Sequence, residues 1–380
     1  MPKKFKIGLD ARMYRRSTGG IGRYIHGLLE ALSKIDRHNH FYVFLTDDDL
    51  KEYTLKAKNF TPIRAPYTHY SLKEQLNFLR LINSYHLDLV HFTNFNHPIF
   101  YRGKFVITIH DMTMSILPAH GRQMSAISSF FYHLVFNNGV KRSNKIIADS
   151  QNTKNDLIKI LKVKEKKISV VHLGINDNYK PECDPKKLRE LKEKYKIKKP
   201  YLLFVSQWRP HKGIKNLVAS FEIMDRRFKM RDLNLVITGK PNPQFPEIEK
   251  CINGSPLRPR IITPGFVDEK DMVPLYSNAQ AFVFPSTYEG FGLNPLEAMG
   301  CGTPVATSNV SSIPEICGNA VLYFDPKDPE DIALKTCTLL TNGKLRQNLI
   351  ARGFENLKRF SWQKMAKETL DIYSQTLEKS

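Results

Sequence analysis

Short apolar runs alternate with helical patterns along most of this chain, and the alternation starts again near residue 200. FKIGLD, FYVFLT, LDLVHFT, FVITIHD and KIIADS in the first half are brief and rich in β-branched or aromatic residues. So are YLLFVS, LNLVITG, RIITPGF and AQAFVFPS in the second. That composition belongs to strands buried on both faces. Between them Ile21, Tyr24, Ile25, Leu28, Leu29 and Leu32, and later Leu217, Phe221 and Met224, recur at helical spacing. Alternation of this kind demands a mostly parallel sheet covered by helices on both faces, because each parallel crossover must return over the sheet. Two such series in 380 residues predict two Rossmann-like α/β domains rather than one oversized core.

The polar stretch NDNYKPECDPKK, residues 176–187, carries two prolines and reads as the linker. The expected division is an N-terminal domain over residues 1–180 and a C-terminal domain over 181–360. Residues 361–380 form a terminal amphipathic helix, with the N-terminal domain as its candidate partner. The start, MPKKFKIGLD, alternates Phe5, Ile7 and Leu9 as a strand does and lacks the continuous apolar region of a signal peptide. No apolar run reaches spanning length. Cys183, Cys251, Cys301, Cys317 and Cys337 are scattered without a CxxC pair, which argues against a disulfide framework or a zinc ribbon and for a reducing cytoplasm.

The formal charge of +21 is uneven: residues 1–180 hold 28 Lys and Arg against 14 Asp and Glu. A surplus of this size suits polyanions, whether nucleic acid, an anionic bilayer or phosphorylated substrates. With no basic-aromatic nucleic-acid motif in the α/β pattern, a polyanion-binding module rests on charge alone and nucleic acid is not the expected partner. In SAISSFFYHLVFNNGVKR, Ile127, Phe130, Phe131, Leu134 and Val135 share a helical stripe ahead of Lys141 and Arg142. The favoured reading is a core-facing stripe, and the other is a basic-aromatic membrane contact at the inner face of the plasma membrane.

Chemistry concentrates at strand ends. STYEGFGLNPLEAMGCGTP, residues 286–304, is a loop after the strand AQAFVFPS followed by a helix, the place where open α/β sheets bind ligands. Gly290 and Gly292 allow close backbone approach, and a helix amino terminus favours phosphate. Asn294 as N-cap, Pro295 as first helical residue and Glu297 three past the cap make a capping box that accounts for Glu297 without a ligand. Glu289 has no such account. In VSQWRPHKG, Arg209 and Lys212 follow another strand and are cations of the kinds that hold a diphosphate. The loop Ser17 to Tyr24, with Gly20, Gly22 and Arg23, precedes the first helix. Its third glycine is missing and ARMYRRST intervenes, so the dinucleotide fingerprint fails. His110 and Asp111 end the strand VITI, where a histidine can bond a sugar hydroxyl or assist proton transfer, and where a turn is the plainer reading. Asp47, Asp48 and Asp49 imitate the DxD of a metal-dependent GT-A glycosyltransferase, but lie early in a two-domain pattern and read as a helix cap.

The segment from Glu289 to Glu297, with Gly-Phe-Gly inside it and Glu-Ala-Met-Gly-Cys-Gly-Thr-Pro-Val following, resembles the E-x7-E signature of the family 4 retaining glycosyltransferases. The resemblance covers nearly the whole chain. It implies the GT-B fold, two Rossmann-like domains facing across a cleft, and metal-independent hexosyl transfer from a nucleotide sugar, with no cofactor. Glu289 would lie by the donor sugar and Glu297 would bond the ribose. Backbone amides of Phe291, Gly292 and Leu293 would meet the phosphate or sugar, and Arg209 and Lys212 the diphosphate. Gln207 stands where many members carry arginine. The resemblance places Gly20, Gly22 and Arg23 near the diphosphate and acceptor, with Arg12, Arg15 and Arg16 nearby, and gives His110 a contact to the donor sugar. The motifs look most like mannosyl- or glucosyl-type members that build surface polysaccharide or lipid-linked saccharide. GDP-mannose is thus the first expected donor, with UDP- and ADP-sugars as alternatives.

Overall fold

The computed structural model describes residues 3–15, 19–116 and 126–378, so Arg16, Ser17 and Thr18 of the first glycine loop lie outside the described residues. Two compact units divide the chain: Met1–Gly174 with Phe360–Ser380, and Ile175–Arg359.

The first unit is built on a seven-stranded sheet of order β3-β2-β1-β4-β5-β6-β7. Its strands are β1 (Lys6–Asp10), β2 (His40–Leu45), β3 (Phe60–Arg64), β4 (Leu89–Phe92), β5 (Phe105–Ile109), β6 (Lys145–Ala148) and β7 (Ile168–Val170). Every pairing is parallel, with Ile7 opposite Phe41 and Leu89 across β1. The order reverses between β1 and β4, so the crevice at that switch point is the natural ligand edge. β3 contains Pro62 and β7 has three residues. Both are edge strands, where proline and brevity are tolerated and where the apolar signal in a sequence is weakest.

The helix Trp362–Glu378 packs on the helix Gly20–Ile35, and the fit depends on glycine. A methyl group on Gly27 would overlap the Trp362 ring, and one on Gly174 the Trp362 amide nitrogen. A buried polar chain joins the same elements. The Tyr373 hydroxyl lies 2.6 Å from His91 Nδ1, His91 Nε2 lies 2.8 Å from Thr108 Oγ1, and Thr108 meets the Tyr24 hydroxyl at 2.9 Å. Burial pushes His91 down to about 3, so its imidazole is neutral and can donate from one nitrogen and accept at the other.

The helix Ala126–Arg142 corrects an expectation. Val135 is buried, but Ile127, Phe130, Phe131 and Leu134 face solvent, and the inner side is formed by Tyr132, Val135, Phe136 and Val140. With apolar residues on two sides, spacing alone cannot say which side is covered.

The second unit carries a six-stranded parallel sheet of order β10-β9-β8-β11-β12-β13. Its strands are β8 (Tyr201–Phe204), β9 (Asn234–Thr238), β10 (Ile261–Gly265), β11 (Ala281–Phe284), β12 (Val305–Ser308) and β13 (Leu322–Phe324). β8 and β11 are neighbours, with Ala281 opposite Leu202, and again the order reverses between them. Tyr201, Phe204, Phe221 and Tyr276 are fully buried around this centre. The stretch 176–187 is only partly irregular. Pro185–Lys194 is helical, with the Asp184 carboxylate accepting from the Lys186 amide at 2.9 Å, because proline at a first helical position behind an aspartate starts a helix as readily as it marks a linker.

Candidate active site

In the second unit the loops after β8 and β11 are bound to each other. The His211 carbonyl accepts from the Thr287 amide at 2.7 Å and the Ser286 hydroxyl at 3.2 Å. Gly213 adopts φ +72°, and a methyl group there would overlap the Pro285 carbonyl, so only glycine lets the two loops close. This fixes the base of Lys212. Its Nζ lies 2.6 Å from Glu289 Oε1, and the two side chains are only 16% and 13% exposed. Glu289 is held by its backbone as well. Its amide donates to Ser311 Oγ at 3.1 Å, and its carbonyl accepts from Ser311 at 2.7 Å and Ser312 at 3.0 Å. Ser312 also donates to the Phe291 carbonyl at 2.8 Å. Ser311 sits at φ +60°, an unusual conformation for a residue with a side chain. These serines lie past the signature and were missed in the sequence, where only the doublet in NVSSIPE marks them.

The helix after this loop runs Leu293–Gly300, two residues ahead of the expected start. Gly292, at φ +103°, is its N-cap, and no side chain caps it. The capping box at Asn294 therefore does not form, since a glycine in the left-handed region turns the chain into the helix earlier than an asparagine cap would. Glu297 is instead 2% exposed and its Oε2 accepts from the Tyr276 hydroxyl at 2.9 Å, the hydroxyl that Asn294 Nδ2 approaches at 3.4 Å. Gly292 and the first turn from Leu293 present backbone amides of the kind that bind anions. Arg209 opens the turn Pro210–Lys212 and is exposed, as is Gln207. Lys212, Glu289 and the helix start thus share one edge at the β8/β11 switch point, with Glu297 buried behind.

In the first unit His110 follows β5 and is clamped by two acceptors. Nδ1 lies 2.7 Å from Asp149 Oδ2 and Nε2 lies 2.9 Å from the Thr93 carbonyl. The Thr93 carbonyl takes a proton from Nε2, and with the Asp149 carboxylate ionised Nδ1 donates as well, which makes the ring an imidazolium, although burial pushes the Asp149 carboxyl up against the pull of His110. Burial opposes that charge, but the Asp149 carboxylate and the hydrogen bonds outweigh it and hold the His110 pKa above its ordinary value. Asp149, 2% exposed, was missed because ADS reads as a strand end before a cap, and Ser150 does cap the next helix through the Thr153 amide at 3.1 Å. Asp111 is exposed and its carboxylate accepts from the Thr113 amide at 2.8 Å, the turn role.

Gly20 and Gly22 begin the helix Gly20–Ile35, and the Arg23 amide donates to the Gly19 carbonyl at 3.2 Å. A methyl group on Gly20 would meet nothing within 4 Å among the described residues. Arg12 is not on offer to a diphosphate. Its guanidinium bonds Asp10 at 2.8 and 2.7 Å and Glu74 at 2.7 Å, buried at the β1/β4 switch point, and the half-buried Tyr67 carbonyl at 3.1 Å. Arg15 reaches Asp48 at 3.0 Å. Asp49 forms a capping box with Thr46, and Asp47 pairs with Arg64, so the acidic triplet is a helix cap.

The His110 clamp carries a pH dependence. A histidine whose folded pKa exceeds its unfolded value, about 6.5, contributes stability that is complete below that value and is lost as pH rises through the folded pKa. Denaturant midpoints between pH 6 and 9 are expected to fall for the wild type. Asp149→Asn should be the weaker protein at pH 6 and should lose most of the slope, whereas parallel curves for the two proteins would remove the imidazolium assignment.

Two family models match the chain. Glycosyltransferase Family 4 covers residues 18–179 and Glycosyl transferases group 1 covers residues 187–356. The chain is 28% identical over 270 residues to O-antigen chain mannosyltransferase B of Escherichia coli, covering 70% of this chain and 69% of that one. It is 28% identical over 243 residues to the serotype-specific mannosyltransferase WbdA of the same organism, a match that takes in 63% of this chain and only 30% of that longer protein. Among solved structures, Anabaena Alr3699/HepE in complex with UDP-glucose superposes with a TM-score of 0.76 at 16% identity, over 98% of this chain and all of that one.

Proposed function

Because the chain belongs to the family 4 glycosyltransferases and has their GT-B architecture of two Rossmann-like units, we propose that it moves a hexose from a nucleotide sugar to an acceptor hydroxyl with retention at the anomeric carbon. The acceptor is a growing surface polysaccharide or a lipid-linked saccharide. The observation that carries the reading is the Lys212–Glu289 pair, fixed at 2.6 Å beside an uncapped helix start at a sheet switch point. Breaking the bond from the anomeric carbon to the diphosphate puts negative charge on the leaving oxygen, and Lys212, Arg209 and the amides of residues 291–293 stabilise it there. Glu289, oriented by Lys212 and by Ser311, holds the sugar hydroxyls, and Glu297, braced by Tyr276, takes the ribose. The acceptor oxygen attacks on the face the diphosphate leaves, through an oxocarbenium-like state, and its proton passes to a leaving phosphate oxygen. To His110 we assign a hydrogen bond to a sugar hydroxyl, made by exchanging its Thr93 bond, and to the loop of Gly20, Gly22 and Arg23 the acceptor. No step draws on a metal.

The donor we favour is GDP-mannose, after the mannosyltransferases among the relatives. A UDP-sugar is the second choice, since the structural neighbour HepE holds UDP-glucose. The test is nucleotide release across GDP-, UDP- and ADP-sugars, with saccharide acceptors, by wild type and by Glu289→Ala. Turnover with one nucleotide class, lost in the variant, is the expected result; a folded protein that neither binds nor turns over any of them would sink the proposal.

A further inference from the structure

Tyr70, in the segment after β3, has φ +60°, a left-handed backbone that a bulky side chain rarely adopts. Its amide donates to Glu74 Oε2 at 2.8 Å, and Glu74 is fully buried. The Glu74 amide donates to Ser71 Oγ at 3.1 Å, while Glu74 Oε1 accepts from Arg12 and from Asn96 Nδ2. Glu74–Phe78 itself is one turn of π-helix, a form that recurs at functional sites. A buried carboxylate thus pins the tyrosine in its unfavourable conformation, and strain upheld by the surrounding structure clusters at ligand sites.

The pinned residue is 50% exposed. Its ring centre lies 6.3 Å from that of Phe95 and 6.5 Å from those of Tyr132 and His69. Phe95 follows β4, and Arg12, which binds the Tyr67 carbonyl in the same segment as Tyr70, follows β1. The ring therefore stands at the ligand edge of the first unit. Two polar side chains there keep spare hydrogen-bonding capacity. His69 is half-buried and has no hydrogen bond among the described residues. Burial, with Arg12 nearby, pushes its pKa down to about 4, so the imidazole is neutral and offers one donor and one acceptor. Asn94, next in the chain to Phe95, is half-buried, and its Nδ2 meets the Met13 sulfur at 3.6 Å, a weak acceptor.

We propose that Tyr70 is the floor of a saccharide subsite in the first unit, where one pyranose ring of the acceptor lies on the exposed aromatic face and His69 and Asn94 bond its hydroxyls. A pyranose has an apolar face of C–H bonds and a border of hydroxyls, and an aromatic ring flanked by neutral donors and acceptors matches both. A phosphate group would need a cation here, and Arg12 is already held by Asp10 and Glu74. An apolar partner laid over Tyr70 and the exposed Leu72 and Leu76 would leave His69 and Asn94 unmatched. The inference rests on the proposed glycosyl transfer only in calling this sugar the acceptor.

The experiment is saturation-transfer NMR of the full chain with methyl α-mannoside, methyl α-glucoside and methyl α-galactoside. At least one should take up saturation at its ring C–H protons. Tyr70→Asn should weaken that binding about tenfold or more, and Tyr70→Phe should stay within about threefold of the wild type. Asparagine tolerates the left-handed backbone, so the unfolding midpoint of Tyr70→Asn should equal or exceed that of the wild type. In nucleotide-release assays the KM for the same saccharide should rise by that factor while the donor KM holds. Binding of none of the glycosides, equal binding by Tyr70→Asn, a midpoint that falls with the affinity, or a donor KM that rises equally overturns the proposal. Tyr70-dependent binding by a protein that turns over no sugar nucleotide would support the subsite and sink glycosyl transfer instead.

Discussion

Replacing Lys212 with alanine is expected to lower kcat/KM for the sugar nucleotide by about 10²- to 10³-fold, roughly 3–4 kcal/mol of transition-state stabilisation. The lysine has two anions to serve. In the structure it serves Glu289, at 2.6 Å with both side chains largely buried. During reaction it would also face the leaving diphosphate, whose charge grows as the sugar departs. Removing it leaves a partly buried carboxylate unpaired, so a loss of stability accompanies the loss of rate. The two effects separate in a double variant. Lys212→Met with Glu289→Leu removes both charges and should restore the unfolding midpoint towards the wild type, because a charge pair in this setting contributes little net stability over apolar side chains of similar size. Turnover should stay as low as in the single variants. If turnover returned with the midpoint, the pair would be a structural salt bridge and the catalytic assignment would fall.

Arg12→Met should be the most destabilising single change at the ligand edge of the first unit, by about 3–5 kcal/mol, the usual cost of stranding buried charge. Arg12, Asp10 and Glu74 have side chains 0%, 5% and 0% exposed, and the guanidinium also stacks 3.8 Å from the centre of the Phe78 ring. Without it two carboxylates share a buried site with no paired cation among the described residues. Burial already raises the Glu74 carboxyl above its ordinary range, against the pull of Arg12, and losing the arginine raises it further. A carboxyl whose folded pKa is raised destabilises the fold as pH climbs above its unfolded value, so the deficit of the variant should be smaller at pH 5 than at pH 8. Denaturant unfolding at both pH values measures this; a deficit under about 1 kcal/mol at pH 8 would mean the cluster is hydrated rather than dry.

The two sites differ in how far a sequence could reach them. Glu289, Gly292, Glu297 and Lys212 lie in local strand-loop-helix units, and a ligand edge follows directly from strand order once alternation implies a parallel sheet. Their place at a ligand edge was legible for that reason. Asp149 meets His110 across 39 residues, and Ser311 meets Glu289 across 22. Nothing in ADS or NVSS announces such a partner, since a hydrogen bond between neighbouring strand ends depends on which strands the sheet makes neighbours. The capping box at Glu297 shows the converse, a local rule displaced because Gly292 at positive φ started the helix earlier.

By itself the sequence determined two parallel α/β series, the glycines that let backbones close and the E-x7-E loop with its lysine, because period, β-branching and turn chemistry act over a few residues. Tertiary structure alone decided which of two apolar sides of the helix Ala126–Arg142 is covered, that Arg12 is consumed by Asp10 and Glu74, and that His110 meets Asp149. Burial and charge are properties of what surrounds a residue in space, and in a sheet whose order is not chain order those surroundings come from far along the chain.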